Sequence, residues 1–155
     1  MPLLRLAPPL QVTAWFNVVE PPTLAALRGK VVVLHTFQMR CRGCVQVATP
    51  QAQRIHDFFA PADVVVIGLH TVFENHAAMT ADALEKFIAE RGLTFPIAVD
   101  APDGHEGIPL TMRALALDGT PSLVLLDRAG HIRMKRFGHV SDLELGAAIA
   151  TLVAE

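Results

Sequence analysis

The chain has 155 residues, 52% of them hydrophobic and 18% charged, with a formal net charge of −2. That length suits a single domain with a sizeable core, and the composition excludes a disordered chain. The near balance of 13 basic and 15 acidic residues argues against a nucleic-acid partner and against an anionic membrane surface.

Residues 1–30 read as an irregular or short-strand arm, with Trp15, Phe16 and Val18 able to cover one edge of the core. Residues 1–11 carry Arg5, Pro2, Pro8 and Pro9 where a signal peptide would have an apolar run. No segment approaches the roughly 20 apolar residues that span a bilayer. A cytoplasmic protein without membrane contact is therefore expected.

Gly29 introduces the run Val31-Val32-Val33-Leu34-His35-Thr36-Phe37, and residues 63–69 form a second apolar, β-branched run. Both suit strands buried on two faces. Between them, Val45, Ala48, Ala52, Ile55 and Phe59 fall at helical spacing within residues 42–59. Strand, helix, strand implies a parallel pair with a right-handed crossover.

A further helix is predicted over residues 81–91, with Thr80 as cap and Gly92 as stop. Residues 95–99 read as a strand, 100–109 as a loop and 110–115 as a short helix. Residues 122–127 and 131–137 form a hairpin about Asp127-Arg128-Ala129-Gly130. Ser141-Asp142-Leu143-Glu144 has the spacing of a capping box and opens a last helix, whose buried stripe is Leu145, Ile149, Leu152 and Val153. The sum is a βαβ half and a ββα half around one mixed sheet.

The only two cysteines stand in Cys41-Arg42-Gly43-Cys44, between a buried strand and the helix after it. One pair excludes a stabilising disulfide framework. Thiols three residues apart at a helix start can reach disulfide geometry. The unpaired N–H groups there, with Arg40 and Arg42, favour the thiolate, which is the reactive form. Cys41 is then the exposed nucleophile, and Cys44, one turn inward, resolves the mixed disulfide. The alternatives are two ordinary buried cysteines or half of a zinc site, although no second ligand pair is present.

From here the chain resembles the thioredoxin superfamily, specifically its TlpA/ResA-like branch of redoxin (AhpC/TSA-like) domains. The resemblance rests on Arg28-Gly29-Lys30-Val31-Val32-Val33 leading to Phe37, the C-x-x-C, Pro50, Gly92-Leu93-Thr94-Phe95-Pro96, Gly119-Thr120-Pro121-Ser122 and the final hairpin turn. It implies an α/β thioredoxin-like fold, with a helix and strand inserted between the two halves. It also implies a cis peptide at Pro121 facing the dithiol, and a Thr120 backbone free to pair with an extended substrate segment.

Four positions depart from the family pattern. Arg40 replaces a Trp, and Gly43 replaces a Pro. Pro50 comes one residue late, which suggests an extra residue in the first helix turns, a π-bulge. His35 stands where thioredoxin carries a buried Asp. It shares a strand face with Val31, Val33 and Phe37, so it either takes the Cys44 proton or is a satisfied core histidine.

The expected function is thiol–disulfide oxidoreduction on protein substrates, with a thiol reductant and no cofactor or metal. The catalytic set is Cys41, Cys44 and His35; the substrate-binding set is Thr120, Pro121, Arg40 and Arg42. The rivals are a thiol peroxidase, a non-catalytic module and a copper-handling protein. The peroxidase reading lacks its Pro-x-x-x-Thr/Ser-x-x-Cys loop, because Leu34 and Gln38 occupy those places. His70, Glu74 and His76 read as a polar loop, His105 and Glu106 as solvent-exposed, and Met39 as part of an apolar rim.

Overall fold

Apolar β-branched runs and amphipathic stretches alternate along the chain, and the computed structural model shows how they pack. It describes residues 3–105 and 107–155; Met1, Pro2 and Glu106 lie outside the described residues. Six strands form one mixed sheet: β1 (Val12–Phe16), β2 (Val31–Phe37), β3 (Val64–His70), β4 (Ile97–Asp100), β5 (Ser122–Leu126) and β6 (Ile132–Phe137). Their order across the sheet is β1-β4-β3-β2-β5-β6. The β2–β3 and β3–β4 pairs are parallel; β1–β4, β2–β5 and β5–β6 are antiparallel.

Both faces of the sheet are covered, which is why β2 is buried at every residue. One face carries α1 (Thr49–Phe58), α2 (Ala81–Arg91) and α4 (Asp142–Ala154). Its core joins Val31, Val33 and Phe37 of β2 to Ile55, Leu84 and Ile149 of those helices. The opposite face is closed by α3 (Leu110–Ala114) and the arm, through Met112, Leu115, Ala7 and Leu24 against Val32, Leu34 and Val124. The inserted helix and strand are α2 and β4.

The capping residues act as their types predict. Thr80 accepts the Ala83 amide and Ser141 the Glu144 amide. Gly92 ends α2 with φ +63°, a left-handed conformation that suits glycine. Gly68 serves a different need: a Cβ there would stand 2.8 Å from the Phe95 ring. The close approach lets Phe95 fill the core beside Phe37.

Two expectations shift. The strand predicted at 95–99 runs from Ile97 to Asp100, because Pro96 brings no N–H and Phe95 is spent on packing. His70 is not part of a loop; it is the last residue of β3, in register with Phe37, and is buried. The expectation of an extra residue before Pro50 holds. Cys44–Ala48 is a π-helical turn ahead of α1, and the Thr49 amide reaches back to the Cys44 carbonyl. The ring of a proline in a helix collides with the carbonyl four residues earlier, and the wider turn relieves that contact.

Candidate active site

The dithiol sits where β2 ends and the π-turn begins, at the carboxyl end of the parallel strands. Both cysteines are free thiols; Cys41 is half-buried and Cys44 fully buried. The Cys44 amide donates to the Cys41 sulfur at 3.4 Å, so one helix-start N–H faces that sulfur. The Cys41 thiol in turn donates to the Thr120 carbonyl at 3.5 Å. The Thr120–Pro121 peptide is cis. A Cβ at Gly43 would lie 3.6 Å from the Pro121 ring, so the second residue between the cysteines packs against that proline. Cys41, Cys44, Thr120 and Pro121 are thus brought together.

The two sulfurs sit in different surroundings. Burial pushes the Cys44 thiol well above the ordinary cysteine range, and its hydrogen bond with Cys41 adds to this; the Gln38 backbone and the Thr120 side chain oppose it. A buried thiol beside a half-exposed one is the asymmetry that a nucleophile and a resolving thiol need.

His35 lies elsewhere in the core. Its Nε2 shares a 3.0 Å hydrogen bond with the Thr49 hydroxyl, and its ring stacks on Phe37 with centroids 5.1 Å apart. Burial lowers its pKa to about 3. A base that weak takes a thiol proton only at a large energetic cost. The expectation that His35 accepts the Cys44 proton therefore finds no support in its contacts. The π-turn contributes to this arrangement, since one extra residue rotates the downstream helix by about 100°. Thr49 is thereby turned into the core, where it meets His35.

Arg40 and Arg42 are exposed, and neither has an ion-pair partner among the described residues. They leave two free positive charges beside Cys41. No group of three or more His, Cys, Asp or Glu side chains able to hold a metal occurs among the described residues, and no described helix is long and apolar enough to cross a membrane.

Two polar residues here were not singled out as site residues from the sequence. Gln38 and His70 are both buried and both bond to the segment that carries Cys41. His70 Nε2 accepts the Met39 amide at 3.2 Å, so its proton sits on Nδ1. The Gln38 carbonyl accepts the Cys41 amide at 3.0 Å. A glutamine between an unbroken buried strand and the C-x-x-C was a usable signal for the first. The second needed the β2–β3 register.

Residues 6–135 match the AhpC/TSA family. The chain is similar to the solved structure of the thioredoxin-like superfamily protein SPOA0173, at 51% identity, with 97% of each chain covered and a TM-score of 0.94. It is similar to a thiol-disulfide isomerase from Corynebacterium glutamicum, at 49% identity over 96% of this chain and 97% of that one, with a TM-score of 0.92. A thioredoxin-like protein solved in its oxidised form shares the fold, at 23% identity over 99% and 98% of the two chains and a TM-score of 0.80. No curated protein sequence matches the chain.

Proposed function

Since the chain belongs to the AhpC/TSA family, we propose that it is a thiol–disulfide oxidoreductase that exchanges disulfides with protein substrates through Cys41 and Cys44. The observation that carries this is the asymmetric thiol pair: a half-buried Cys41 whose sulfur accepts the Cys44 amide, and a buried Cys44 behind it. The similarity to a thiol-disulfide isomerase supports the same chemistry.

In the reductive direction the Cys41 thiolate attacks one sulfur of a substrate disulfide. The substrate S–S bond breaks, one substrate thiolate leaves, and a Cys41–substrate disulfide forms. Cys44 then gives up its proton to solvent and attacks the Cys41 sulfur. The second substrate thiolate leaves, and the Cys41–Cys44 disulfide remains. Two electrons pass from the dithiol to the substrate, and a thiol reductant restores the pair. In this reading Thr120 offers its backbone to an extended substrate segment beside Pro121.

Arg40 and Arg42 are the proposed substrate-selecting charges. With no partner of their own, they favour disulfides flanked by acidic residues. Replacing both with Ala is expected to slow reduction of an acidic-flanked peptide disulfide by about 3- to 10-fold at low salt. High salt should erase the difference, because exposed charges are screened. Equal rates for acidic- and basic-flanked peptides in the unmodified protein would remove the arginines from substrate selection.

The reading as a whole is tested by dithiothreitol-dependent insulin reduction, run beside a peroxide-consumption assay. Insulin turnover is the expected result. Rapid peroxide turnover without insulin reduction would make the protein a thiol peroxidase. Inactivity in both assays would leave a binding module.

A further inference from the structure

The loop after β3 brings a carboxylate to the dithiol that the exchange steps above leave unused. Two backbone contacts anchor this loop. The Thr71 amide donates to the Phe37 carbonyl at 3.0 Å, and the Phe73 amide donates to Gln38 Oε1 at 3.2 Å. Asn75, left-handed at φ +48°, turns the chain just beyond. Glu74 stands between Phe73 and that turn, and it is exposed.

The Glu74 carboxylate is held in place. Gln38 is buried, and its oxygen is taken by the Phe73 amide, so its nitrogen is the end left to donate. That nitrogen donates to Glu74 Oε1 at 3.4 Å and to the Thr120 hydroxyl oxygen at 3.3 Å. One nitrogen thus seats the carboxylate next to Thr120, whose carbonyl accepts the Cys41 thiol. Like Arg40 and Arg42, Glu74 forms no ion pair among the described residues. A charge steadied by a neutral donor keeps its attraction for a cation brought by a partner.

The two signs of charge reach Thr120 from opposite sides of the sheet. Cys41, which the arginines flank, packs against the core under α1, α2 and α4. Phe73, which precedes Glu74, packs against the core under α3. An extended segment paired with the Thr120 backbone therefore lies between a basic side and an acidic side.

We propose that Glu74 is a specificity-determining residue that receives a cationic side chain of the substrate segment. This rests on the dithiol reading above and narrows its substrate class. Arg40 and Arg42 take an acidic neighbour of the substrate cysteine, and Glu74 takes a basic one. Disulfides whose cysteine has one neighbour of each sign are then favoured over those with two acidic neighbours.

The test uses the Cys44→Ser protein as a trap and two synthetic peptide disulfides, each a dimer of one short peptide. In the first peptide a glutamate and a lysine flank the cysteine; in the second, two glutamates do. The first is made in both orders, and the better captured one is scored. The Cys41 thiolate attacks one peptide sulfur, the peptide S–S bond breaks, and the other peptide leaves as a thiolate. Both dimers are offered together, in equal excess and at low salt, and intact-protein mass spectrometry after acid quenching gives the ratio of the two adducts.

Glu74→Gln, added to the trap, keeps an oxygen for Gln38 to bond and removes only the charge. It should lower the ratio of mixed-charge to all-acidic adduct by about threefold, the scale of one exposed ion pair. Glu20→Gln is the control, since it changes the net charge equally. Glu20 follows β1 past Phe16, which pairs with Ile97 at the start of β4, the end of the sheet away from the dithiol. It should leave the ratio unchanged. An unchanged ratio in Glu74→Gln, or an equal fall in Glu20→Gln, would overturn the inference. If the trap captured neither peptide, the dithiol exchange itself would fall, which is a different result from either of these.

Discussion

Replacing Cys44 with serine is expected to stop the exchange halfway and leave the substrate covalently attached to Cys41. The half-exposed Cys41 sulfur keeps its Thr120 carbonyl and its helix-start amide, so the first attack survives. The serine hydroxyl is far too weak a nucleophile to resolve the product. Turnover with a protein disulfide should fall by roughly three orders of magnitude or more, because the covalent step that splits the reaction is lost. A mixed disulfide should persist on a non-reducing gel and add the substrate mass in intact-protein mass spectrometry. Cys41→Ser should lose turnover to a similar extent but trap nothing, because Cys44 is buried out of reach of a protein substrate. Trapping by Cys41→Ser and not by Cys44→Ser would reverse the two roles. Full turnover in either variant would remove the dithiol from the mechanism.

The second large effect is on stability in acid. Burial lowers His35 to about 3 and His70 to about 4, from an ordinary value of 6.5. Between those values and 6.5 the unfolded chain binds protons that the folded one refuses. The stability held by the two neutral imidazoles is therefore complete above about 6.5 and is lost as pH falls through the folded values. With both in play, the free energy of unfolding should fall by up to about 2.7 kcal/mol per pH unit within that window. Carboxylates held down by arginine partners, Asp142 by Arg54 and Glu155 by Arg133, add a loss of the same sign at lower pH. Urea unfolding from pH 7.5 down to 4.5 measures the slope. His35→Gln and His70→Gln keep a hydrogen-bonding group without the titration, and each should remove about half of it. An unchanged slope in the double variant would show that neither imidazole is the source. The same titration bears on the dithiol, since protonated His70 can no longer accept the Met39 amide that steadies the segment before Cys41.

Much of the site could be read locally, for a physical reason. Three-residue spacing at a helix start brings two thiols within reach whatever surrounds them, so Cys41 and Cys44 take their places from sequence alone. The unbroken apolar run of β2 declared a strand covered on both faces. The late Pro50 declared the π-turn, because a proline's effect on a helix is confined to its own neighbourhood. Thr80, Gly92 and Ser141 marked helix ends by the same local logic.

The remaining features lie in contacts between residues distant along the chain. Strand alternation turns His35 inward, but it cannot say whether Thr49 or Cys44 lies under an inward side chain. His70 read as loop because its partner, Phe37, is known only once β2 and β3 are in register. Gln38 and Thr120 stand 82 positions apart, and their hydrogen bond exists only because β5 returns beside β2. The paired placement of the two thiols, the mixed sheet and the order of its halves are thus legible in the residue order, since short-range spacing and hydrophobic period determine them. Folding alone selected the polar groups that surround those sulfurs, because hydrogen-bond partners are chosen by distance in space.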